Sequence, residues 1–186
     1  MKLIIGLGNY GATYAHTRHN IGWDAVTQFA TGLQASFVEK SRFHAELAEG
    51  RVGEEKVLLV HPLTYMNRSG EAVQALVQFY KMEIKDVLIV QDEMDYQVGQ
   101  LAFSLDAGPA GHNGIISIQE SLGTKAIPRL RLGIGRPIDS IAKEDYVLQS
   151  FSAEEKESIE KILTQAEEAM RDWCKEGIER AMNEWN

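Results

Sequence analysis

The chain has 186 residues, of which 44% are hydrophobic and 25% charged, and a formal net charge of −8. These proportions exclude a disordered or collagen-like chain, and no apolar run approaches the ~20 residues that span a bilayer. The single cysteine, Cys174, excludes an intrachain disulfide and a cysteine-based zinc site, and points to the cytoplasm. The opening Met1-Lys2-Leu3-Ile4-Ile5-Gly6 meets its first glycine too early for a signal-peptide core. Residues 151–186 hold ten acids and five bases, so five of the eight net negative charges lie there. Acidity alone argues against a nucleic-acid partner.

Lys2–Ile5 reads as a short buried strand stopped by Gly6. Asn20–Leu33 carries Ile21, Ala25, Val26, Phe29, Ala30 and Leu33 at helical spacing. Phe43–Val52 and Val57–Val60 read as strands joined through Gly53-Glu54-Glu55. Ser69–Met82 is a predicted helix with Val73, Leu76, Val77 and Tyr80 on one face. Val87–Val90 is a buried strand, and Gln100–Leu105 alternates like an edge strand. Asn113–Leu122 is a short predicted helix with Gly123 as its stop. Leu130–Ile134 is a further strand. Ser152-Ala153-Glu154-Glu155 is a capping box. It opens a long helix expected over 152–183, buried through Ile159, Ile162, Leu163, Ala166, Met170 and Trp173. Interleaved strands and helices predict one α/β domain over 1–186, a three-layer α/β/α sandwich around a mixed, mostly parallel sheet.

Gly6-Leu7-Gly8-Asn9-Tyr10-Gly11 fits the GxGxxG dinucleotide pattern after a strand. That reading needs a helix to open there and hold pyrophosphate, yet residues 12–19 have no apolar helical stripe. The glycines are better read as a tight turn at the top of a strand. No GxSxG supports a serine nucleophile. His16 and His19 lack the companions of a metal site, so no metal and no cofactor are expected. Cys174, beside Trp173, reads as packing.

Polar clusters stand at element ends: Gly8-Asn9, Thr17-Arg18-His19-Asn20, Thr64-Tyr65-Met66-Asn67, Asp92 with Asp95, and Gly111-His112-Asn113-Gly114. Strand ends in an open α/β sheet face the crevice where ligands bind. Each cluster also has a plain structural reading. Asn67 and Asn113 suit helix caps, and Asp92 and Asp95 suit turns.

With Arg129-Leu130-Arg131, Gly133-Ile134-Gly135-Arg136-Pro137 and Ala181-Met182-Asn183, these blocks span the chain. In this order they resemble the bacterial-type peptidyl-tRNA hydrolase family. The resemblance implies a monomeric α/β enzyme that uses no metal and cleaves the ester between a peptide and the 3′ end of tRNA. It implies His19 as general base, Asp92 as its orienting acid, and Asn9 as the residue that tells N-blocked from free aminoacyl groups. On the chemistry of an amide, Asn9 is expected to accept from the peptide N–H. Asn67 and Asn113 are implied as substrate-binding amides, Tyr14 and Tyr65 as contacts to the tRNA 3′ end, and Met66 as part of the peptide groove. Two rival readings are a diverged hydrolase of a smaller ester or amide, and a non-catalytic RNA- or protein-binding module.

The chain departs from the family pattern at Tyr10, which replaces a proline, and at Pro109-Ala110, Gln91 and Tyr96-Gln97. Ala102 and Ser104 stand where family members commonly carry phosphate-gripping bases. Arg129, Arg131 and Arg136 are then the nearby bases left to meet the acceptor stem.

Overall fold

Strand sequences that are apolar at every position must be covered on both faces. In the computed structural model, which describes residues 1–137 and 140–186, this is how the sheet is built. β1 (Lys2–Gly6) lies between β4 (Glu55–Pro62) and β5 (Val87–Glu93), parallel to both. β7 (Arg129–Gly133) is parallel to β5. β2 (Val38–Lys40) and β3 (Ala45–Val52) extend one edge and β6 (Leu101–Ser104) closes the other, all in antiparallel pairing. Among the described residues the order is β2-β3-β4-β1-β5-β7-β6.

Side chains alternate across each strand. Ile4, Leu59, Leu88 and Val90 enter one core with α1 (Ile21–Gly32), α5 (Lys156–Glu176) and α6 (Ile178–Trp185). Leu3, Ile5, Leu58 and Ile89 enter the other with α2 (Ser69–Tyr80) and α3 (Asn113–Leu122). Each fully buried Leu or Ile contributes about 1.5–3 kcal/mol. The result is a single-domain α/β fold around a mixed sheet. Parallel strands form its centre, and the antiparallel pairings lie at the edges.

The differences from the sequence reading are local. Phe43 ends a 3-10 turn, and β3 begins at Ala45 after His44, whose φ is +49°. β2 and the short α4 (Lys143–Val147) carry too few residues to show a period. The helix expected over 152–183 is two helices. α5 ends at Glu176, and Gly177, at φ +81° and ψ 179°, breaks the hydrogen-bond ladder before α6. The capping box does form: Glu155 N–H donates to Ser152 Oγ at 3.3 Å, and Ser152 N–H to Glu155 Oε2 at 2.7 Å. Cys174 is buried, and burial pushes its thiol up to about 12, consistent with packing.

No helix is long and apolar enough to cross a membrane among the described residues. The stretch after β1 makes a 3-10 turn at Ala12–Tyr14 rather than the helix a dinucleotide fold needs. The nearby glycines serve close packing instead. A Cβ on Gly22 would collide with the backbone of Val90 and Leu7, so glycine lets the start of α1 sit against the tops of β1 and β5.

Candidate active site

The carboxyl ends of β4, β1 and β5 deliver three of the polar clusters to one rim, and the N-terminus of α3 supplies another. His19 rides on the 3-10 turn Arg18–Asn20 ahead of α1. That turn is held from both sides. Arg18 N–H donates to Gln149 O at 2.9 Å, and the guanidinium makes paired bonds to Glu155 at 2.9 and 2.8 Å. It also lies over the rings of Tyr146 and Phe151.

His19 Nδ1 is 2.9 Å from Asp92 Oδ1, and His112 Nε2 is 2.9 Å from the same oxygen. The tautomers follow from the donors around them. His112 caps α3, its Nδ1 accepting from Gly114 N at 3.1 Å and Ile115 N at 3.4 Å. Its proton therefore resides on Nε2, which donates to Asp92. An ionised carboxylate only accepts, so His19 Nδ1 donates as well and Nε2 is left as the basic atom. Burial opposes the charge on Asp92, but the two histidines outweigh it and hold the carboxyl well below its usual range. Burial lowers the His19 pKa, and the Asp92 charge and hydrogen bond more than reverse this, leaving it raised.

His19, Asp92, His112 and Asn113 line a cavity of about 220 Å³, with Met94, Val147 and the 109–111 loop as further wall. Pro109 O accepts from His112 N at 2.8 Å, closing that loop over Ala110 and Gly111, both at positive φ. Donor atoms of His19, Asp92 and His112 lie within 4.8 Å of one another, a spacing a metal ion could use. Here they are joined by hydrogen bonds, and His112 Nδ1 is engaged by backbone N–H groups, so the three satisfy one another without an ion.

Asn9 is fixed on every side. Asn20 Oδ1 accepts its N–H at 2.9 Å, Asn20 Nδ2 donates to its carbonyl at 3.0 Å, and its own Oδ1 accepts from Met66 N at 2.9 Å. One lone pair of its Oδ1 is thus engaged by Met66, and among the described residues Nδ2 is left as an unengaged donor. Met66 is buried beneath this turn, while Tyr65 and Asn67 are exposed. Neither Asn67 nor Asn113 caps a helix by its side chain: Arg68 precedes α2 and His112 caps α3. Asn113 lines the cavity, whereas Asn67 and half-buried Tyr14 lie outside its wall.

The three arginines expected near the acceptor stem are each bound to protein groups. Arg129 is 2% exposed, with Nη1 donating to Gly108 O at 3.1 Å. Arg131 is held by Glu93 Oε2 at 2.6 Å and by the Tyr96 hydroxyl at 3.0 Å. Arg136 pairs with Asp95 at 2.6 Å. Ala102 stands opposite Arg131 and Ser104 opposite Arg129, so the four positions are cross-strand neighbours, as their spacing suggests.

Sequence reasoning passed over the roles of three residues: His112, Arg18 and Asn20. All three were visible inside the polar blocks, but only the folded chain shows which partners they reach.

A family model described as peptidyl-tRNA hydrolase matches residues 3–186. The chain is 42% identical to a peptidyl-tRNA hydrolase of Syntrophomonas wolfei and 44% identical to one of Desulfitobacterium hafniense, each over the full length of both chains. It is similar to the crystal structure of peptidyl-tRNA hydrolase from Acinetobacter baumannii. The TM-score is 0.93 at 33% identity, covering 100% of this chain and 94% of that one.

Proposed function

The chain belongs to the peptidyl-tRNA hydrolase family, and we propose that it hydrolyses the peptidyl-tRNA ester with His19 as general base. The observation that carries this assignment is the fixed tautomer of His19. Nδ1–H is bound to Asp92, and Nε2 carries the free lone pair in a residue lining the cavity.

In this reading a water in the cavity gives a proton to His19 Nε2 as its oxygen attacks the ester carbonyl. The resulting imidazolium faces an Asp92 carboxylate that stays ionised, because two ring N–H groups stabilise it. Asn113 Nδ2 donates to the developing oxyanion, an interaction worth about 10²–10³ in rate. Collapse breaks the bond to the tRNA 3′ oxygen, which takes the proton back from His19. Peptide acid and tRNA leave, and the base is restored.

Asn9 Nδ2 donates to the acyl carbonyl that precedes the last peptide N–H. A free aminoacyl group has no such oxygen, and its ammonium must also be desolvated. The exposed Tyr65 ring stacks on the terminal adenine, worth roughly 1–3 kcal/mol. Asn67 on the same turn binds substrate backbone, and Met66 beneath it shapes the peptide groove. Arg131, with its side chain 19% exposed, is the cation of the β6–β7 surface that meets the acceptor stem. The domain works as a monomer without a cofactor.

The test is release of N-acetyl amino acid from N-acetyl-aminoacyl-tRNA, with free aminoacyl-tRNA as control and zinc-class metals removed by chelation. Turnover of the blocked substrate alone is expected. Equal turnover of both, or turnover only when zinc is restored, contradicts the proposal.

A further inference from the structure

His61, near the end of β4, is 2% exposed and has no part in the mechanism above. Alternation along the strand puts it on the α1 side of the sheet with Leu59. Its ring stacks on Phe37, with centroids 3.8 Å and planes 17° apart, and lies against Trp23 at 4.6 Å and 39°. Its Nε2 is 3.3 Å from Thr27 Oγ1. The single proton of that hydroxyl goes to Trp23 O at 2.9 Å, so Nε2 carries a proton and donates to Oγ1. Glu46, opposite on β3, has Oε2 3.7 Å from Nδ1, beyond hydrogen-bond reach. Burial pushes the pKa of the ring down to about 3, so His61 is neutral through the ordinary pH range. Trp23 connects this stack to the reaction site. A Cβ on Gly8 would lie 2.7 Å from Trp23 Cε3 and 3.0 Å from Asn20 Cγ, so the indole and the Asn20 amide both press on the Gly8 backbone. The same amide holds the N–H and the carbonyl of Asn9. The turn that aims Asn9 therefore rests on Trp23, and Trp23 rests on His61.

We propose that His61 is a positioning residue for the discrimination between N-blocked and free aminoacyl esters: its ring, wedged between Phe37 and Trp23, fixes the indole against Gly8 and so sets where Asn9 Nδ2 stands. The inference rests on the peptidyl-tRNA reading and on Asn9 as its discriminating donor. Burying an imidazole costs more than burying an apolar side chain of similar size. The flat ring offsets that cost by filling a slot between two aromatic faces, where a branched aliphatic chain would not lie flat. Its Nε2–H adds an anchor on α1 through Thr27. The effect of a loosened indole is specific. It displaces a group that contacts only the blocked substrate, and it leaves His19 on Asp92. Small displacements of such a group are felt in the rate, because the donor must meet the acyl oxygen in the reacting geometry.

The experiment reads the ratio of single-turnover kcat/KM on N-acetyl-aminoacyl-tRNA to that on aminoacyl-tRNA. His61→Leu removes ring and donor, and His61→Gln removes the ring and keeps a donor. Both should narrow the ratio by about 3-fold, within the roughly 10-fold that one hydrogen bond from Asn9 supplies. His61→Phe keeps a flat ring and should keep most of the ratio. In an Asn9→Ala background His61→Leu should change the ratio no further, because the two residues act through one contact and their effects do not add. A general loss of stability would slow both substrates alike and leave the ratio unmoved. A wild-type ratio in the His61→Leu or His61→Gln chain, a His61→Phe chain as poor as His61→Leu, or an undiminished His61→Leu effect in the Asn9→Ala background overturns the role of His61. A wild-type chain that is inert, or that turns over both substrates equally, overturns the peptidyl-tRNA reading itself and this role with it.

Discussion

One oxygen, Asp92 Oδ1, receives ring N–H groups from both His19 and His112, and this sets the sign of the pH response. Burial alone would lower the His19 pKa, and the Asp92 carboxylate raises it beyond the ordinary value of 6.5. A raised pKa keeps the base protonated to higher pH, so the rate should climb with pH on a limb lying above that value. Asp92→Asn removes the raising influence and leaves burial, so the limb should move to lower pH. The plateau should fall by less than the roughly 10²–10⁴ that the base itself supplies, because an amide releases the tautomer but leaves the imidazole in place. Single-turnover rates from about pH 5 to pH 9 check this. An Asp92→Asn limb at the wild-type position would mean that the carboxylate does not act on the base.

Asn9 gives an independent check. Its Nδ2 is the donor left after Met66 N–H engages Oδ1. Asn9→Ala should narrow the ratio of rates on N-acetyl-aminoacyl-tRNA and aminoacyl-tRNA by about 10-fold, roughly the worth of one hydrogen bond to a neutral carbonyl. An unchanged ratio assigns discrimination elsewhere. These roles were partly legible in the sequence. The blocks holding Asn9, His19, Asp92 and Asn113 stand out as polar residues at strand ends. The direction of the Asn9 bond and the second histidine were not legible, because both depend on contacts between segments far apart in the chain: Asn9 with Met66, and His112 with Asp92.

Among the elements, α1 depends most on a single small residue. Its first turn follows directly from His19 and presses on the tops of β1 and β5, where a Cβ on Gly22 would strike backbone that cannot yield. Gly22→Ala should cost about 1–3 kcal/mol by overpacking, read as a lower urea midpoint, and should lower kcat by displacing the base. A fully active variant of wild-type stability would show that this contact is soft. Long elements with a clear period were legible: β1, α1, α2 and α3 fall within two residues of their expected bounds, and β5 starts where expected but runs three residues further, to Glu93. The misses have physical causes. β2 has three residues and α4 five, too short for periodicity to register. The Gly177 break was hidden because apolar spacing continues through it, with Ala181 and Met182 packing on the same core as Trp173.

At the scale of the whole molecule the question is how a chain of net charge −8 holds a polyanion. Five of those charges lie in residues 151–186, which form α5 and α6 on one side of the sheet, away from α2 and α3. On the β6–β7 surface, Arg131 is paired with Glu93 and Arg129 is buried, so little unpaired cation faces outward there. Ala102 is half-buried on the edge strand directly opposite Arg131. Ala102→Lys should tighten tRNA binding and steepen its salt dependence by about 0.7–0.9 per phosphate engaged. Ser104→Lys should instead destabilise the chain, because Ser104 is buried opposite the Arg129 guanidinium. A salt series on tRNA with and without its 5′-phosphate decides the first point, and a Tm the second. An unaltered salt slope in Ala102→Lys would show that phosphate is gripped elsewhere.

The most direct test of the account is the single-turnover rate of His19→Ala on saturating N-acetyl-aminoacyl-tRNA, with the Kd measured on the same preparation. The account predicts a rate lower by about 10²–10⁴ with Kd within a few-fold of wild type, because His19 supplies the base and not the affinity. A rate within a few-fold of wild type, or a loss that lies wholly in Kd, would contradict it.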